Sequence, residues 1–174
     1  MGELRKSRRT LLAVGVIAVI IASVAVWWFS PGQQMKRRNA ALIDAVRAGD
    51  VKAVEAALDG GSDVNTRDAE GITLLMHAAR GDRPEIANPG PSDHPELVEM
   101  LIKRGADVNA KTESGFVALF WAARYGHDGV TRVLIAHGAD VNLKDKDGIS
   151  ALQWATTNQQ AKVVELLKAA GAKE

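Results

Sequence analysis

The chain has 174 residues, 22 Lys/Arg against 21 Asp/Glu, and no cysteine, for a formal net charge of +1. That length holds one modest domain plus a targeting segment, and the absence of cysteine excludes disulfides and thiolate zinc sites, which fits an exported bacterial protein without fixing a compartment. The near-neutral total hides an asymmetry: residues 1–39 hold seven Lys/Arg and one acid, a balance of +6, and residues 40–174 hold 15 against 20, a balance of −5. An acidic domain without a basic stripe argues against nucleic-acid binding, which rests on neutralising phosphates.

Residues 1–10 form a basic N-terminus with Arg5, Lys6, Arg8 and Arg9. Leu11 to Phe29 follows as 19 residues without a charge, apolar on every side, where a soluble amphipathic helix would show a polar face. A helix of that length covers about 28 Å, close to the hydrocarbon thickness of a bilayer. Trp27, Trp28 and Phe29 stand at its far end, where ring side chains favour the headgroup level. Two readings follow. The length and the aromatic end suit an uncleaved single-pass transmembrane signal anchor; the basic start and Ser23-Val24-Ala25 suit a cleaved signal peptide. Four cations before the run against three after it place the N-terminus in the cytoplasm and the domain in the periplasm. Ser7-Arg8-Arg9-Thr10-Leu11-Leu12 is similar to a twin-arginine export signal, though positive-inside charge accounts for the same residues. Residues 30–39 read as a helix-breaking polar linker, long enough to reach at most about 35 Å.

From residue 40 the chain repeats. Asp-Val-Asn stands at 63–65, 107–109 and 140–142, and the turn glycines Gly71, Gly115 and Gly148 keep the same intervals of 44 and 33 residues. Helix-stopping glycines stand at Gly61, Gly105, Gly138 and Gly171, where a left-handed residue ends a helix. Four units follow: about 40–68, 69–112, 113–145 and 146–174. The second carries extra residues within 83–93, whose three prolines make a loop. Its helices are expected near 73–80 and 95–103. Each unit is too small to bury two apolar helix faces alone, so it needs its neighbours.

The period, with Gly71-Ile72-Thr73-Leu74-Leu75-Met76-His77-Ala78-Ala79, Gly126-His127 and two copies of Gly-Ala-Asp-Val-Asn at 105–109 and 138–142, resembles the ankyrin repeat. The resemblance covers roughly 40–174 and implies an all-α solenoid of about four helix–turn–helix repeats with short β-hairpin turns. The chain departs from the family's Thr-Pro-Leu-His. It has Thr73-Leu74-Leu75-Met76, Val117-Ala118-Leu119-Phe120 and Ser150-Ala151-Leu152-Gln153, so packing by Met76 and Phe120 should replace polar coupling. Gln159-Gln160 stands where Gly-His is usual. Small alanines at 45, 78, 79, 122, 123 and 155 should let neighbouring helices approach closely. Each Asp-x-Asn pair should bond the turn leading to the next unit.

The resemblance also implies where binding lies. Hairpin tips would be Arg67, Asp68 and Glu70, then Lys111 and Glu113, then Lys144, Lys146 and Asp147. The exposed palm would present Asp44, His77, Trp121 and Trp154, and beyond them Arg47, Arg80, Arg124 and Tyr125, Thr157 and Asn158. Trp121 and Trp154 lie one repeat apart, with Tyr125 a turn beyond Trp121. Aromatic residues and arginine are enriched at binding hot spots. The candidate protein-binding residues are therefore Trp121, Trp154, Tyr125, Arg124, His77 and Arg80. The competing reading makes the tryptophans packing between repeats.

Chemistry is sparse. His94 and His127 occupy the family's turn position, while His77 and His137 form no ligand spacing. No nucleophile–base pair, phosphate loop or carboxylate dyad stands out. The expectation is a non-enzymatic module with no cofactor, no metal, no nucleic acid and no small-molecule substrate. It would bind a protein partner and be tethered to the bacterial inner membrane through residues 11–29. A soluble periplasmic inhibitor resembling ankyrin-type immunity proteins, and an accessory factor for a periplasmic enzyme, are the alternatives.

Overall fold

The structure is a computed structural model and describes residues 30–81 and 93–173. The expected membrane span at 11–29, the cleavage site within it and all but the last residue of the 83–93 insertion lie outside the described residues. Among the described residues no helix is long and apolar enough to cross a membrane. Met1–Asn39 and Ala40–Glu174 are separate compact units, and the second carries the repeats.

Eight helices are described. In chain order they are α1 (Pro31–Arg47), α2 (Val51–Asp59), α3 (Leu74–Arg80), α4 (Pro95–Lys103), α5 (Ala118–Tyr125), α6 (Asp128–Ala136), α7 (Ala151–Thr157) and α8 (Ala161–Ala169). Two of these, α3 and α4, match the helices expected in the second unit. The first helices α3, α5 and α7 pack side by side in one row, and the second helices α4, α6 and α8 in another. The hairpins between units are reduced to single antiparallel bridges, Arg67 with Thr73 and Lys144 with Ser150.

Residue size explains the row of first helices. Ala78, Ala79, Ala122, Ala123, Ala151 and Ala155 are all buried, and side chains this small let helix backbones approach closely. Leucine and valine fill the seam to the outer row: Leu97 and Leu101 of α4, Val130 and Leu134 of α6, Val163 and Leu167 of α8. Met76 and Phe120 are 1% and 0% exposed, so packing does replace polar coupling at those two points.

The Asp-x-Asn pairs divide their work. Each aspartate accepts from the backbone two residues on within its own turn: Asp63 from Asn65, Asp107 from Asn109, Asp140 from Asn142, at 2.8–3.0 Å. Each asparagine reaches the next unit. Asn65 donates to the Gly105 carbonyl and accepts from the Asp107 N–H; Asn109 does the same with Gly138 and Asp140. Asn142 accepts from the Lys173 N–H at 2.9 Å. One side-chain amide, with a donor and an acceptor, thus fixes the step from repeat to repeat.

One expectation is corrected. Residues 30–39, read as helix-breaking, are helical from Pro31 onward. Proline is tolerated in the first turn, where its missing N–H costs nothing, and the Ser30 carbonyl accepts from the Gln33 and Gln34 N–H groups. The following Gln, Met, Lys and Arg are good helix formers.

Candidate protein-binding site

Equivalent positions of successive first helices carry an arginine that reaches forward to an aromatic ring in the next repeat. The Arg47 Nε–H points at His77 Nδ1 at 3.4 Å. The Arg80 guanidinium carbon lies 4.8 Å from the Trp121 ring centroid, and that of Arg124 lies 5.2 Å from the Trp154 ring. A cation over an aromatic face at such distances is attractive. Phe116, just after the turn glycine Gly115, joins the two tryptophans: its centroid is 5.2 Å from Trp121 and 5.5 Å from Trp154. Tyr125 stacks on Trp121 at 6.2 Å with the rings 5° apart.

Nine residues before each ring, the hairpin offers it an anchor. In repeat two, Asp68 Oδ1 accepts from the Glu70 and Ile72 N–H groups, leaving Oδ2 2.9 Å from His77 Nε2. Because Arg47 Nε can only donate, His77 Nδ1 accepts and Nε2 carries the proton toward Asp68. Burial, with the Arg47 charge beside it, holds His77 below the usual histidine range despite Asp68. Burial alone would raise Asp68, but hydrogen bonds from the Ile72 and Glu70 backbone and from His77 outweigh it and lower it. The pair is therefore a carboxylate and a neutral imidazole at neutral pH. In repeat four, Asp145 uses Oδ1 for the Asp147 and Ile149 N–H groups and accepts from Trp154 Nε1 through Oδ2 at 3.2 Å. Repeat three has Thr112 in this place. Its Oγ1 accepts from the Phe116 N–H at 3.0 Å, as one aspartate oxygen does in the other two, but a second oxygen is missing. Among the described residues Trp121 Nε1 is buried and has no hydrogen-bond partner; the same holds for Arg80 Nε.

The expected binding residues divide accordingly. Trp121, Arg124, Tyr125, Trp154 and Arg80 are half-buried and adjoin one another. His77, expected on the exposed palm, is 2% exposed: Asp68 draws the ring inward and Arg47 covers it, so its side chain offers no contact surface. Each tryptophan ring packs against the core, as the packing reading expects, and keeps an open part. Sequence reasoning missed Phe116 and the Asp68–Thr112–Asp145 series. Phe116 stands where the other turns have Ile72 and Ile149, and the series keeps a fixed interval to His77, Trp121 and Trp154. Those registers were the available signal.

The turn histidines behave differently from one another. His127 donates through Nδ1 to the Ala79 carbonyl of repeat two at 3.0 Å; burial keeps it below the usual range. His94 packs its ring against Gly49, leaving no room for a Cβ there. Gln160 takes the equivalent place in repeat four, against Gly126. Asp93, at the end of the insertion, accepts from the Gly129 and Val130 N–H groups at 2.8 and 2.9 Å, capping α6 from a different repeat. No group of three or more His, Asp or Glu that could hold a metal ion occurs among the described residues.

Residues 91–173 match the family model described as ankyrin repeats (3 copies). Over 87 residues, 49% of this chain, the sequence is 37% identical to M-phase phosphoprotein 8 of Mus musculus. It is 36% identical over 84 residues, 47% of this chain, to the protein of that name from Homo sapiens. The match spans only 9% and 8% of the length of those two relatives. Over residues 91–173, then, the chain is similar to ankyrin repeats, in the register marked by Asp107, Asn109, Asp140 and Asn142.

Proposed function

We propose that this chain is a non-enzymatic protein–protein interaction module that holds a protein partner on the open parts of Trp121, Tyr125 and Trp154 and on Arg80 and Arg124. The observation that carries the reading is the run of rings and guanidinium groups along the first helices. Aromatic residues and arginine are enriched among the few residues that supply most interface energy. The test compares capture by the full chain with capture by Trp121→Ala/Trp154→Ala and by the milder Arg124→Ala/Tyr125→Ala, each checked for native helicity. A genuine partner is lost by about tenfold or more, the effect of removing a hot-spot residue. If folded variants retain every partner at full strength, the proposed face is wrong.

The module is further proposed to be a bacterial inner-membrane protein, single-pass, with its repeats in the periplasm. The support is the uncharged run Leu11–Phe29 and its flanking charges. Ser23-Val24-Ala25 keeps a second reading in play: a cleaved, soluble periplasmic protein of inhibitor or accessory type. Intact mass separates the two, because a chain retaining residues 1–25 in the membrane fraction excludes cleavage.

A further inference from the structure

Repeat three lacks something its neighbours possess. Layers two and four each place a carboxylate oxygen against the ring N–H, Asp68 on His77 and Asp145 on Trp154. In layer two the same oxygen also lies 3.7 Å from the Arg47 guanidinium, so one carboxylate serves an arginine and a ring at once. Layer three keeps both donors, Arg80 and Trp121, in the equivalent places, and has Thr112 in place of the aspartate. Thr112 thus leaves Trp121 Nε1 without a carboxylate, and the indole offers Arg80 Nε no acceptor such as His77 Nδ1 offers Arg47; both donors are buried and without partners among the described residues. Such orphans are rare, because each forfeits its hydration without gaining a bond.

Both side chains line one open pocket of about 360 Å³, together with Glu70, Ile72, Thr112, Ser114 and Phe116. Ile72 and Phe116 supply apolar walls, Thr112 and Ser114 hydroxyls, and Arg80 a cation. We infer that this pocket takes the carboxylate of an aspartate or glutamate side chain from the partner protein, which completes layer three as Asp68 completes layer two. The inference rests on the proposed protein-binding face and specifies what that face recognises. The two orphan nitrogens are closed to solvent in the free chain, so binding turns both side chains toward the pocket. A guest carboxylate then has one oxygen for the indole N–H and one for the guanidinium, and a hydrogen bond with one charged partner is about twice as strong as a neutral one. Glu70 lines the same pocket and is exposed; its like charge opposes the guest and makes entry selective for a segment that brings further contacts. The fully apolar alternative, an aliphatic side chain in the pocket, would leave both donors orphaned and is disfavoured for that reason.

Four tryptophans in the chain mean only four indole signals in a tryptophan-¹⁵N-labelled full-length sample, with Trp121 assigned through Trp121→Phe. The probe is a capped peptide bearing one glutamate among leucines, compared with its glutamine twin and with the glutamine peptide left with a free C-terminal carboxylate. The glutamate peptide moves the Trp121 indole signal downfield and saturates; the glutamine twin binds about tenfold more weakly or not at all, the loss expected when one charge-assisted bond is removed. Thr112→Asp supplies the carboxylate internally. It moves the same signal without peptide and abolishes the response. Should that variant misfold, Arg80→Gln serves, with at least tenfold weaker binding of the glutamate peptide. Glu70→Gln tightens binding. Equal response to glutamate and glutamine overturns the proposal, as does response only to the free C-terminus. A Trp121 signal displaced in Glu70→Gln without peptide also overturns it, by making Glu70 the native acceptor. If the peptide binds as expected while a captured partner ignores Trp121 and Trp154, the pocket stands and the broader face fails; if the partner needs the tryptophans but ignores Thr112→Asp, the face stands and the pocket fails.

Discussion

Repeats two and three share a fold but hold their first helices in different ways. In repeat two, Thr73 caps α3 by accepting from the Met76 N–H, and Asp68 ties His77 to the hairpin. In repeat three, Val117 gives α5 no side-chain cap and Thr112 leaves Trp121 untied. What repeat three has instead is rings: Phe120 fully buried, Phe116 edge-on to it at 5.8 Å, and Trp121 and Tyr125 stacked beyond. Directional local bonds have been exchanged for aromatic packing. Packing is satisfied from any side, whereas a missing hydrogen bond leaves a specific atom waiting. Repeat three tolerates this because adjacent units stabilise it from both sides.

The comparison breaks most severely at its ring cluster. Phe120→Ala removes a fully buried ring and should cost about 3–5 kcal/mol, against about 2–5 for Met76→Ala at the equivalent place in repeat two. Urea denaturation of both variants measures the difference. A Phe120→Ala cost below that of Met76→Ala would show that repeat three does not depend on its rings. Next in size is Asp93→Ala, which removes both acceptors of the α6 N-terminus and should cost about 0.5–2 kcal/mol, the range for a lost cap. An unchanged midpoint would mean that solvent replaces the carboxylate at no cost.

These residues also mark how far the sequence could be read. The repeats, the helix pairs α3–α8 and the alanine row were legible because each rests on a period of 33 residues and on local stop signals such as Gly105 and Gly138. Trp121 and Trp154 were legible as a pair for the same reason. His77 was misplaced because its exposure depends on Asp68 and Arg47, 9 and 30 residues away, and no periodicity reports which side chain turns inward. Asp93 was hidden by an insertion that breaks the register, so its role as a cap for α6 shows only in three dimensions. The helix over Pro31–Arg47 was concealed by Ser-Pro-Gly, a breaker in mid-helix but a good first turn.

Acidification acts on both repeats by a smaller effect. Burial holds His77 and His127 below the usual histidine range, so the unfolded chain binds more protons than the folded one as pH falls below about 6.5. The stability they contribute is complete above that value and is lost as pH drops toward their lowered folded values. Asp68, also lowered, acts in the same direction at more acid pH, below about 3.8. Urea midpoints should therefore fall between pH 7.5 and 5.5. His77→Gln and His127→Gln should each flatten that slope while lowering the midpoint at pH 7.5. A slope unaltered in both variants would assign the acid sensitivity elsewhere.

The finest test restores to repeat three what repeat two has. Val117 is 1% exposed, extended at φ −123° and ψ 166°, and immediately precedes α5. Thr73, at φ −80° and ψ 164°, does the same for α3 and accepts from Met76 at 3.3 Å. Val117→Thr exchanges a methyl for a hydroxyl of nearly equal volume; the equivalent donor, the Phe120 N–H, already bonds the Val117 carbonyl at 3.1 Å, so the hydroxyl would share it. A cap is worth about 0.5–2 kcal/mol, but burying a hydroxyl consumes part of that unless the bond forms well. The net gain should be about 0.5 kcal/mol, at the lower end of the cap range. Replicate urea curves resolve a difference of that size, and Val117→Ala serves as the control that loses the methyl groups without gaining an oxygen. A loss of stability in Val117→Thr would mean that the aromatic cluster around Phe120 and Phe116 has turned the start of α5 away from cap geometry. The valine would then belong to the ring packing rather than mark a missing cap.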